Sequence, residues 1–411
     1  MKSIRELYRI GYGPSSSHTM GPRRAAEEFK QKYPDTASYT VELYGSLAAT
    51  GKGHLTEKAI IDAFEPIPVN VEWKAKESLP LHPNGMIFKA LDRRGVVIGD
   101  WTAYSIGGGA IRSKEDWNTP EPSIYPLTTM DGILQWNSST GGNLWEFVEQ
   151  HEGKEIWPYL EIVWDAMKDA IRCGLDNEGL LPGTLRLQRK AAGYKTKSVN
   201  SSRIMREIGS VSAYALAVAE ENAGGGKIVT APTCGSCGVL PAILYFLRES
   251  YDFPEQRILR ALATAGLIGN LVKENASIAG AEVGCQGEIG TACAMAAAAA
   301  AQLLGGTVSQ IEYAAEMGIE HHLGLTCDPV EGYVQIPCIE RNPAAAVRAL
   351  HSASFAIFSD GGHRISFDEV VRTMKETGHD MQNAYKETSQ KGLAKNWRLS
   401  ENKRKNKRSG R

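Results

Sequence analysis

The chain has 411 residues, with 46 Lys and Arg against 47 Asp and Glu, so its formal net charge is -1. This balance gives no electrostatic argument for nucleic acid or an acidic membrane as the main partner. Hydrophobic residues make up 42% of the chain, enough to bury a sizeable core. The longest low-charge stretch, residues 289–306, is mostly alanine, which favours a buried helix over a membrane span.

The first 140 residues predict an α/β domain. Short apolar or alternating runs at residues 38–44, 69–73 and 95–99 are typical of strands. Residues 21–33, with Pro22 in the first turn, predict a helix. Residues 116–140 are rich in Pro, Thr, Ser, Asn and Gly, and we expect a linker or an ordered crossover there.

Residues 141–395 predict a mainly α-helical domain, so the expected fold class is α+β. Helical periodicity or composition is found at residues 144–170, 202–221, 240–249, 255–271, 291–304 and 308–318. Residues 396–411 form a basic tail, which we expect to be flexible and solvated; binding of nucleic acid or a partner is the alternative.

Four polar, glycine-supported turns of the first domain are candidate ligand-binding segments. The first precedes the helix at residue 21, where backbone amides and hydroxyls suit a carboxylate or phosphate; plain helix capping is the alternative. Four such turns in one small domain indicate an edge that faces a small anionic ligand or another active site. Their polar and glycine residues are Ser15, Ser16, Ser17, His18 and Thr19; Ser46 and His54; Asn84; and Gly107 and Gly108.

A glycine-rich turn at residues 231–238 carries Thr233 and the C-x-x-C pair Cys234 and Cys237, just before a predicted helix. Such a pair is compatible with redox chemistry, with zinc binding, with a fourth ligand to a metal cluster or with simple packing. No second C-x-x-C completes a zinc site, so a structural or substrate-cradling role is favoured.

Cys285, Cys327 and Cys338 give the strongest chemical signal. Three thiolates without an obvious fourth protein ligand suggest a metal centre with an open position, as a catalytic iron–sulfur cluster requires. Three buried free cysteines are the alternative interpretation. The chain has seven cysteines, an odd number, and its charged N-terminus is not a signal peptide. These features fit thiols in the reducing cytosol better than disulfides.

A family resemblance becomes specific when the motifs are taken in order. They are Gly-Pro-Ser-Ser-Ser-His-Thr, Tyr-Gly-Ser-Leu-Ala, Thr-Gly-Lys-Gly-His, His-Pro-Asn-Gly-Met, Ser-Ile-Gly-Gly-Gly, Gly-Cys-Gln-Gly-Glu, Cys-Asp-Pro-Val and Gln-Ile-Pro-Cys-Ile-Glu-Arg-Asn. Together they resemble the bacterial iron–sulfur L-serine dehydratase (L-serine ammonia-lyase) family, from about Leu7 to Ala394. The resemblance implies a β domain similar to a serine-binding regulatory domain. It also implies a helical catalytic domain that holds a 4Fe-4S cluster through Cys285, Cys327 and Cys338.

Two departures from the family pattern are visible. Many relatives have Thr-Asn-Gly-Ala where this chain has Thr233, Cys234, Gly235 and Ser236, which leaves a role for Cys234 near the cluster open. Some relatives end in a cysteine that can block the active site, whereas this chain ends in its basic tail. We therefore do not expect that autoinhibition in this chain.

The resemblance implies conversion of L-serine to pyruvate and ammonia, in serine catabolism and gluconeogenesis, by a cytoplasmic homodimer. Serine would bind the open iron through its carboxylate and hydroxyl, which acidifies the Cα–H and helps hydroxide leave. We expect His18 and His54 to come from the β domain over the cluster as acid and base, in an order that the sequence leaves open. The remaining substrate contacts are expected from Ser15, Ser16, Ser17, Thr19, Ser46, Asn84, Gly107, Gly108 and Thr233.

Three alternatives remain at this point. A pyridoxal phosphate enzyme also dehydrates serine, but no lysine lies in a setting typical of those enzymes. A serine-sensing protein with a structural zinc would use the same cysteines without chemistry. A related iron–sulfur hydro-lyase would act on threonine or another hydroxy amino acid, and one methyl group discriminates by only about 1–3 kcal/mol.

Overall fold

The computed structural model describes residues 1–51, 53–119 and 122–409. The chain divides into two compact units, a smaller one of Gly11–Glu121 and a larger one of Met1–Ile10 with Pro122–Arg411. A short strand, β1 (Ile10–Tyr12), lies at the first division. The second division lies between Glu121 and Pro122. The sequence predicts the domain boundary later, at residue 140.

The smaller unit combines helices with a five-stranded sheet. Its helices are α1 (Gly21–Lys32), α2 (Gly45–Thr50) and α3 (Thr56–Phe64), and its strands are β2 (Ser38–Tyr44), β3 (Val69–Lys74), β4 (Gly85–Leu91), β5 (Val97–Gly107) and β6 (Ala110–Ser113). The strand order is β3-β2-β4-β5-β6, with β2 and β3 parallel and the other neighbours antiparallel. The predicted strands at 38–44 and 69–73 are present, and the one at 95–99 begins at Val97 after a turn.

Aromatic side chains fill the core of the smaller unit. Phe29 of α1 and Phe64 of α3 pack against Tyr39, Phe88 and Trp101 of the sheet, and each of the five is at most 9% exposed. Burying one such ring contributes about 1.5–3 kcal/mol. This core gives the polar turns at the strand and helix ends a fixed support.

The larger unit is mainly helical, as the sequence predicts. Its elements are α4 (Met130–Thr140), α5 (Leu144–Glu152), α6 (Ile156–Asp176), α7 (Ala191–Val199), α8 (Arg203–Ala223), β7 (Lys227–Val229), α9 (Val239–Tyr251), α10 (Glu255–Asn275), α11 (Gly280–Val283), α12 (Thr291–Leu303), α13 (Val308–Glu320), α14 (Cys338–Phe358), α15 (Phe367–Asp380) and α16 (Gly392–Ser409). No helix in the described part of the chain combines the length and apolar character needed to cross a bilayer.

The alanine-rich helix α12 is the centre of the larger unit. Its residues are buried apart from Gln302, and α10, α13 and α14 pack around it. Small side chains allow this: a Cβ on Gly318 of α13 would lie 2.6 Å from the backbone of Ala294. The prediction of a buried helix in this stretch is confirmed.

Several segments differ from the expectations. Helix α4, capped by the Thr129 side chain, lies within the predicted linker 116–140. The predicted helix 144–170 is two helices, because Gly153 has a φ of 75° and ends α5. The basic tail continues as α16 through Ser409, where the sequence predicted a flexible end, and residues 410–411 lie outside the described residues.

The first ten residues belong to the larger unit, although the sequence assigned them to the β domain. Tyr8 is fully buried and its hydroxyl donates to the Leu262 carbonyl at 2.9 Å. The N-terminal amine donates to Ser123 Oγ at 2.7 Å. These ten residues are separated in sequence from the rest of the larger unit and show no periodic pattern. Sequence patterns therefore could not assign them to that unit.

Candidate metal centre and histidine cluster

Cys285, Cys327 and Cys338 lie together in the larger unit. Cys285 precedes a π-helical turn (Gln286–Gly290), Cys327 lies in the loop after α13, and Cys338 begins α14. Their side chains are 1%, 3% and 8% exposed. Cys327 is hydrogen-bonded to Cys285, and Cys338 is close enough to Cys285 for their charges to interact.

Glu288 is a fourth polar group of this cluster, and the sequence did not single it out. Its carboxylate, the Cys285 sulfur and the Cys327 sulfur all lie within 4.8 Å of one another. The Cys285 thiol donates to Glu288 Oε2 at 3.9 Å. Thr233, a predicted substrate contact, also forms a side-chain hydrogen bond with Glu288. The i, i+3 spacing of Cys285 and Glu288 on one helical turn was the available signal.

A C-terminal segment holds the loop that carries Cys327. The Cys327 amide donates to the Tyr385 carbonyl at 2.8 Å, and the Glu387 amide donates to the Cys327 carbonyl at 2.7 Å. The buried Asp328 carboxylate then accepts from the Leu393 amide at 2.6 Å. These bonds fix the backbone on both sides of the Cys327 thiol.

Asn342 joins Cys338 to the turn that contains the C-x-x-C pair. Its Oδ1 accepts from the Gly238 amide at 2.9 Å, and its Nδ2 donates to the Gly235 carbonyl at 2.8 Å and the Cys338 carbonyl at 2.9 Å. The motif residues Cys338 and Asn342 are one helical turn apart on α14, so one side chain can reach both backbones.

The cluster brings several thiol and carboxyl groups close together, and the pKa values of Cys327, Cys338 and Glu387 are raised. The hydrogen bond to Cys285, followed by burial, raises the pKa of Cys327 well above its usual range. Burial, followed by Cys285 and Glu288, does the same to the pKa of Cys338. Burial and the neighbouring Glu288 raise the pKa of Glu387 to about 8. A bound cation would reverse these preferences, because it stabilises thiolates and carboxylates.

The donor set and its surroundings fit an iron–sulfur cluster. Cysteine sulfur is the ligand that such clusters take, and three cysteines converge here. Gly280 packs closely against two of these groups: a Cβ on Gly280 would lie 3.0 Å from Glu288 Oε2 and 3.1 Å from Cys327 Sγ. A residue larger than glycine would therefore intrude on the donors.

The pair Cys234 and Cys237 lies in the turn next to the cluster. Both side chains are at most 1% exposed, and burial raises the pKa of each. Both thiols interact electrostatically with Glu288, and the Cys237 thiol also points to the Val218 carbonyl at 4.0 Å. Both members of the pair therefore lie close enough to Glu288 for their charges to interact.

His18 and His54 meet in the smaller unit, with ring centroids 4.6 Å apart. Reciprocal bonds tie their segments: the Thr19 hydroxyl donates to the His54 carbonyl at 2.6 Å, and the Thr56 hydroxyl donates to the His18 carbonyl at 2.5 Å. The ring of His18 lies between hydroxyls, with Nδ1 2.8 Å from Ser17 Oγ and Nε2 3.0 Å from Ser46 Oγ.

His54 is buried without satisfied ring nitrogens. Its side chain is 2% exposed, and neither nitrogen has a hydrogen-bond partner among the described residues. Burial lowers the pKa of His54 to about 4, and burial followed by the charge of His54 lowers the pKa of His18 well below its usual range. Both rings are therefore neutral at pH 7. An unpaired buried polar atom costs about 1–3 kcal/mol, which is typical of a site that a ligand completes.

Two further unpaired polar atoms lie in the smaller unit, one of them on the predicted contact Asn84. Asn84 Nδ2 donates to the Ser105 carbonyl at 3.3 Å, while Asn84 Oδ1 and Ser105 Oγ have no partner in the described structure. Gly107 and Gly108 form the turn between β5 and β6 with φ values of 96° and 58°, which favour glycine. Ser15 accepts from the His18 amide at 3.2 Å, and Ser16 begins a π-helical turn (Ser16–Met20).

Comparison with known proteins identifies the family of the chain. Residues 3–68 match the serine dehydratase beta chain model, and residues 69–394 match the serine dehydratase alpha chain model. The chain belongs to the serine dehydratase family. L-serine dehydratases of Streptomyces coelicolor and Haemophilus influenzae are each 42% identical to it, over 96% of this chain and 98% and 99% of theirs. L-serine dehydratase 1 of Escherichia coli is 41% identical, over 96% of this chain and 99% of its own.

The family models divide the chain at a different place from the compact units. The beta chain match ends at residue 68, between α3 and β3, yet β3 pairs with β2 along its length. A serine dehydratase alpha chain match therefore includes strands that complete the sheet of the smaller unit. Both histidines lie in the beta chain match, and Asn84 and the three cysteines lie in the alpha chain match.

Proposed function

We propose that this protein is an L-serine ammonia-lyase that converts L-serine to pyruvate and ammonia. The observation that carries the proposal is the convergence of Cys285, Cys327 and Cys338 beside Glu288 and Gly280. The near full-length similarity to L-serine dehydratases supports the substrate.

The cofactor that we propose is a 4Fe-4S cluster held by Cys285, Cys327 and Cys338. When bound with one iron free of protein ligands, such a cluster supplies a Lewis acid for the hydroxyl and carboxylate of the substrate. Glu288 lies beside two of these cysteines and is hydrogen-bonded to Thr233, so both residues would adjoin the cluster or the substrate.

We propose that His18 and His54 carry the proton transfers. Dehydration removes the α-proton and the β-hydroxyl as water, and the resulting aminoacrylate tautomerises and hydrolyses to pyruvate and ammonia. A neutral imidazole accepts a proton, and both rings are held neutral by burial. Ser17 and Ser46 orient His18, whereas the free nitrogens of His54 are available to a ligand. Ser15, Ser16, Thr19, Asn84, Gly107 and Gly108 complete the proposed substrate contacts.

The setting that we propose is a cytoplasmic homodimer acting in serine catabolism and gluconeogenesis. None of the seven cysteines, all of which lie in the described part of the chain, forms a disulfide, which suits a reducing compartment. Phe355 and Phe358 on α14 are 50% and 90% exposed, and a second copy of the chain would cover them.

The decisive experiment is anaerobic purification with quantitation of iron and acid-labile sulfide, followed by a pyruvate assay on L-serine. We expect iron and sulfide in near equal amounts and pyruvate formation from L-serine faster than from L-threonine. Zinc without sulfide, and no turnover, would favour a serine-sensing protein. Internal-aldimine absorbance would favour pyridoxal phosphate instead.

A further inference from the structure

Arg341 is bound to all three segments that carry the cysteines. It lies on α14, one turn after Cys338. Its Nη1 donates to the carbonyl of Thr326, the residue before Cys327, at 2.7 Å. Its guanidinium also lies within hydrogen-bonding reach of the Cys285 sulfur. A single side chain therefore connects backbone and sulfur atoms from three distant parts of the sequence.

The charge of Arg341 faces the thiols from a mostly enclosed position. Its side chain is 16% exposed. Burial lowers the pKa of Arg341, but the sulfurs of Cys285, Cys338 and Cys327 raise it by more, so the guanidinium remains charged. The Asp328 carboxylate faces it with Oδ1 at 3.8 Å, while its Oδ2 accepts from the Leu393 amide at 2.6 Å.

We propose that Arg341 is a positioning residue of the metal centre, which draws the three cysteine segments together and offsets the negative charge of their thiolates. This inference rests on the proposed iron–sulfur function. Three thiolates that hold a cluster place several negative charges in one buried region, and a fixed cation lowers the cost of holding them there. Lysine is a poor substitute, because the guanidinium fork bonds the Thr326 carbonyl and reaches Cys285 at the same time.

The cation also affects electron affinity. A positive charge close to a cluster favours its reduced, more negative form, so removing the charge lowers the reduction potential. A residue that only stabilised the loop through the Thr326 bond would leave this potential unchanged. The potential therefore separates the electrostatic role from a purely structural one.

The test compares R341K and R341Q with the wild type and with R348Q, whose arginine is exposed on the same helix. Each is purified anaerobically and reconstituted with iron and sulfide, after circular dichroism has verified the fold. The readouts are bound iron and sulfide, the rate of iron release to a chelator, and the reduction potential from titration followed by electron paramagnetic resonance.

We expect R341Q to release iron at least tenfold faster than the wild type and to show a more negative potential. R341K is expected to keep the potential but to release iron faster, and R348Q to match the wild type. If R341Q does not fold, faster release from folded R341K supports the inference. The inference is overturned if the variants that fold release iron at the wild-type rate and have the wild-type reduction potential. If the wild-type protein itself binds no iron and sulfide, the proposed function is overturned instead.

Discussion

The Gly238 amide donates a 2.9 Å hydrogen bond to the side chain of Asn342, one turn beyond Cys338. Both residues are buried, and the same side chain also bonds the Gly235 and Cys338 carbonyls. The start of α14 is thereby attached to the turn that leads into α9. The position of the Cys338 thiol depends on this attachment.

Replacing Asn342 with alanine is expected to destabilise the larger unit. The substitution leaves the buried Gly238 amide and Gly235 carbonyl unpaired, at a cost of about 2–4 kcal/mol in the free energy of unfolding. Urea denaturation of the apoprotein measures the change. Ser354→Ala, which removes one side-chain bond to Leu350 on the same helix, is the matched control, and an equal effect in both variants would contradict the prediction.

Replacing Cys327 or Cys338 with alanine is expected to abolish stable iron and sulfide binding. Each substitution removes one of three proposed ligands and leaves the others too few to retain the cluster. Pyruvate formation from L-serine should fall by more than about 100-fold. Cys173→Ala is the control, because Cys173 is an exposed thiol far along the chain from the proposed ligands. Full activity in a reconstituted Cys327 variant would rule out the proposed centre.

The sequence predicts the helices best where composition and periodicity coincide. The alanine run made α12 evident, and β2 has the predicted bounds because its alternation is undisturbed. By contrast, β4 directly follows a turn, with a short apolar run that is ambiguous between strand and helix. Local pattern therefore identified elements that are long or strictly alternating and missed those defined by their neighbours in the sheet.

The residues of the candidate site likewise include some that the sequence identified and some that it missed. The cysteines and histidines were found because their chemistry is distinctive in sequence. Glu288, Glu387 and Arg341 were missed, because acidic and basic residues are common on surfaces and become notable only when folding brings them together. Ser105 was passed over as part of a glycine turn, although its hydroxyl lies unpaired beside Asn84.

Gly280→Ala is expected to lower cluster occupancy without unfolding the protein. The added methyl would lie 3.0 Å from Glu288 Oε2 and 3.1 Å from Cys327 Sγ, closer than ordinary van der Waals contact, so these groups would have to shift. Iron and sulfide per chain should fall by more than half after reconstitution. Gly193→Ala on α7 is the matched control, since a Cβ there meets no atom within 4 Å. Normal iron and sulfide content in the Gly280 variant would show that the cluster does not depend on the absence of a side chain at this position.

His18→Ala and His54→Ala are both expected to reduce turnover by about 100- to 10,000-fold with iron and sulfide unchanged. The neutral rings lie in the smaller unit, so their loss removes proton transfer without removing a cysteine. Steady-state pyruvate assays at saturating L-serine measure the effect. His321→Ala, at an exposed position, is the control. Wild-type turnover in both histidine variants would refute the assignment.

The stability of the protein is expected to fall at acid pH, in part through His54. Its pKa is about 4 in the folded state against 6.5 as the ordinary value, so the unfolded state binds more protons between these values. The free energy of unfolding therefore decreases as pH drops from 6.5 towards 4, by on the order of 2 kcal/mol at pH 5 from this group. His54→Gln removes that titration and should show a smaller loss between pH 7.5 and pH 5 in urea denaturation. An unchanged pH dependence in this variant would mean that His54 is protonated, or solvated, in the folded protein.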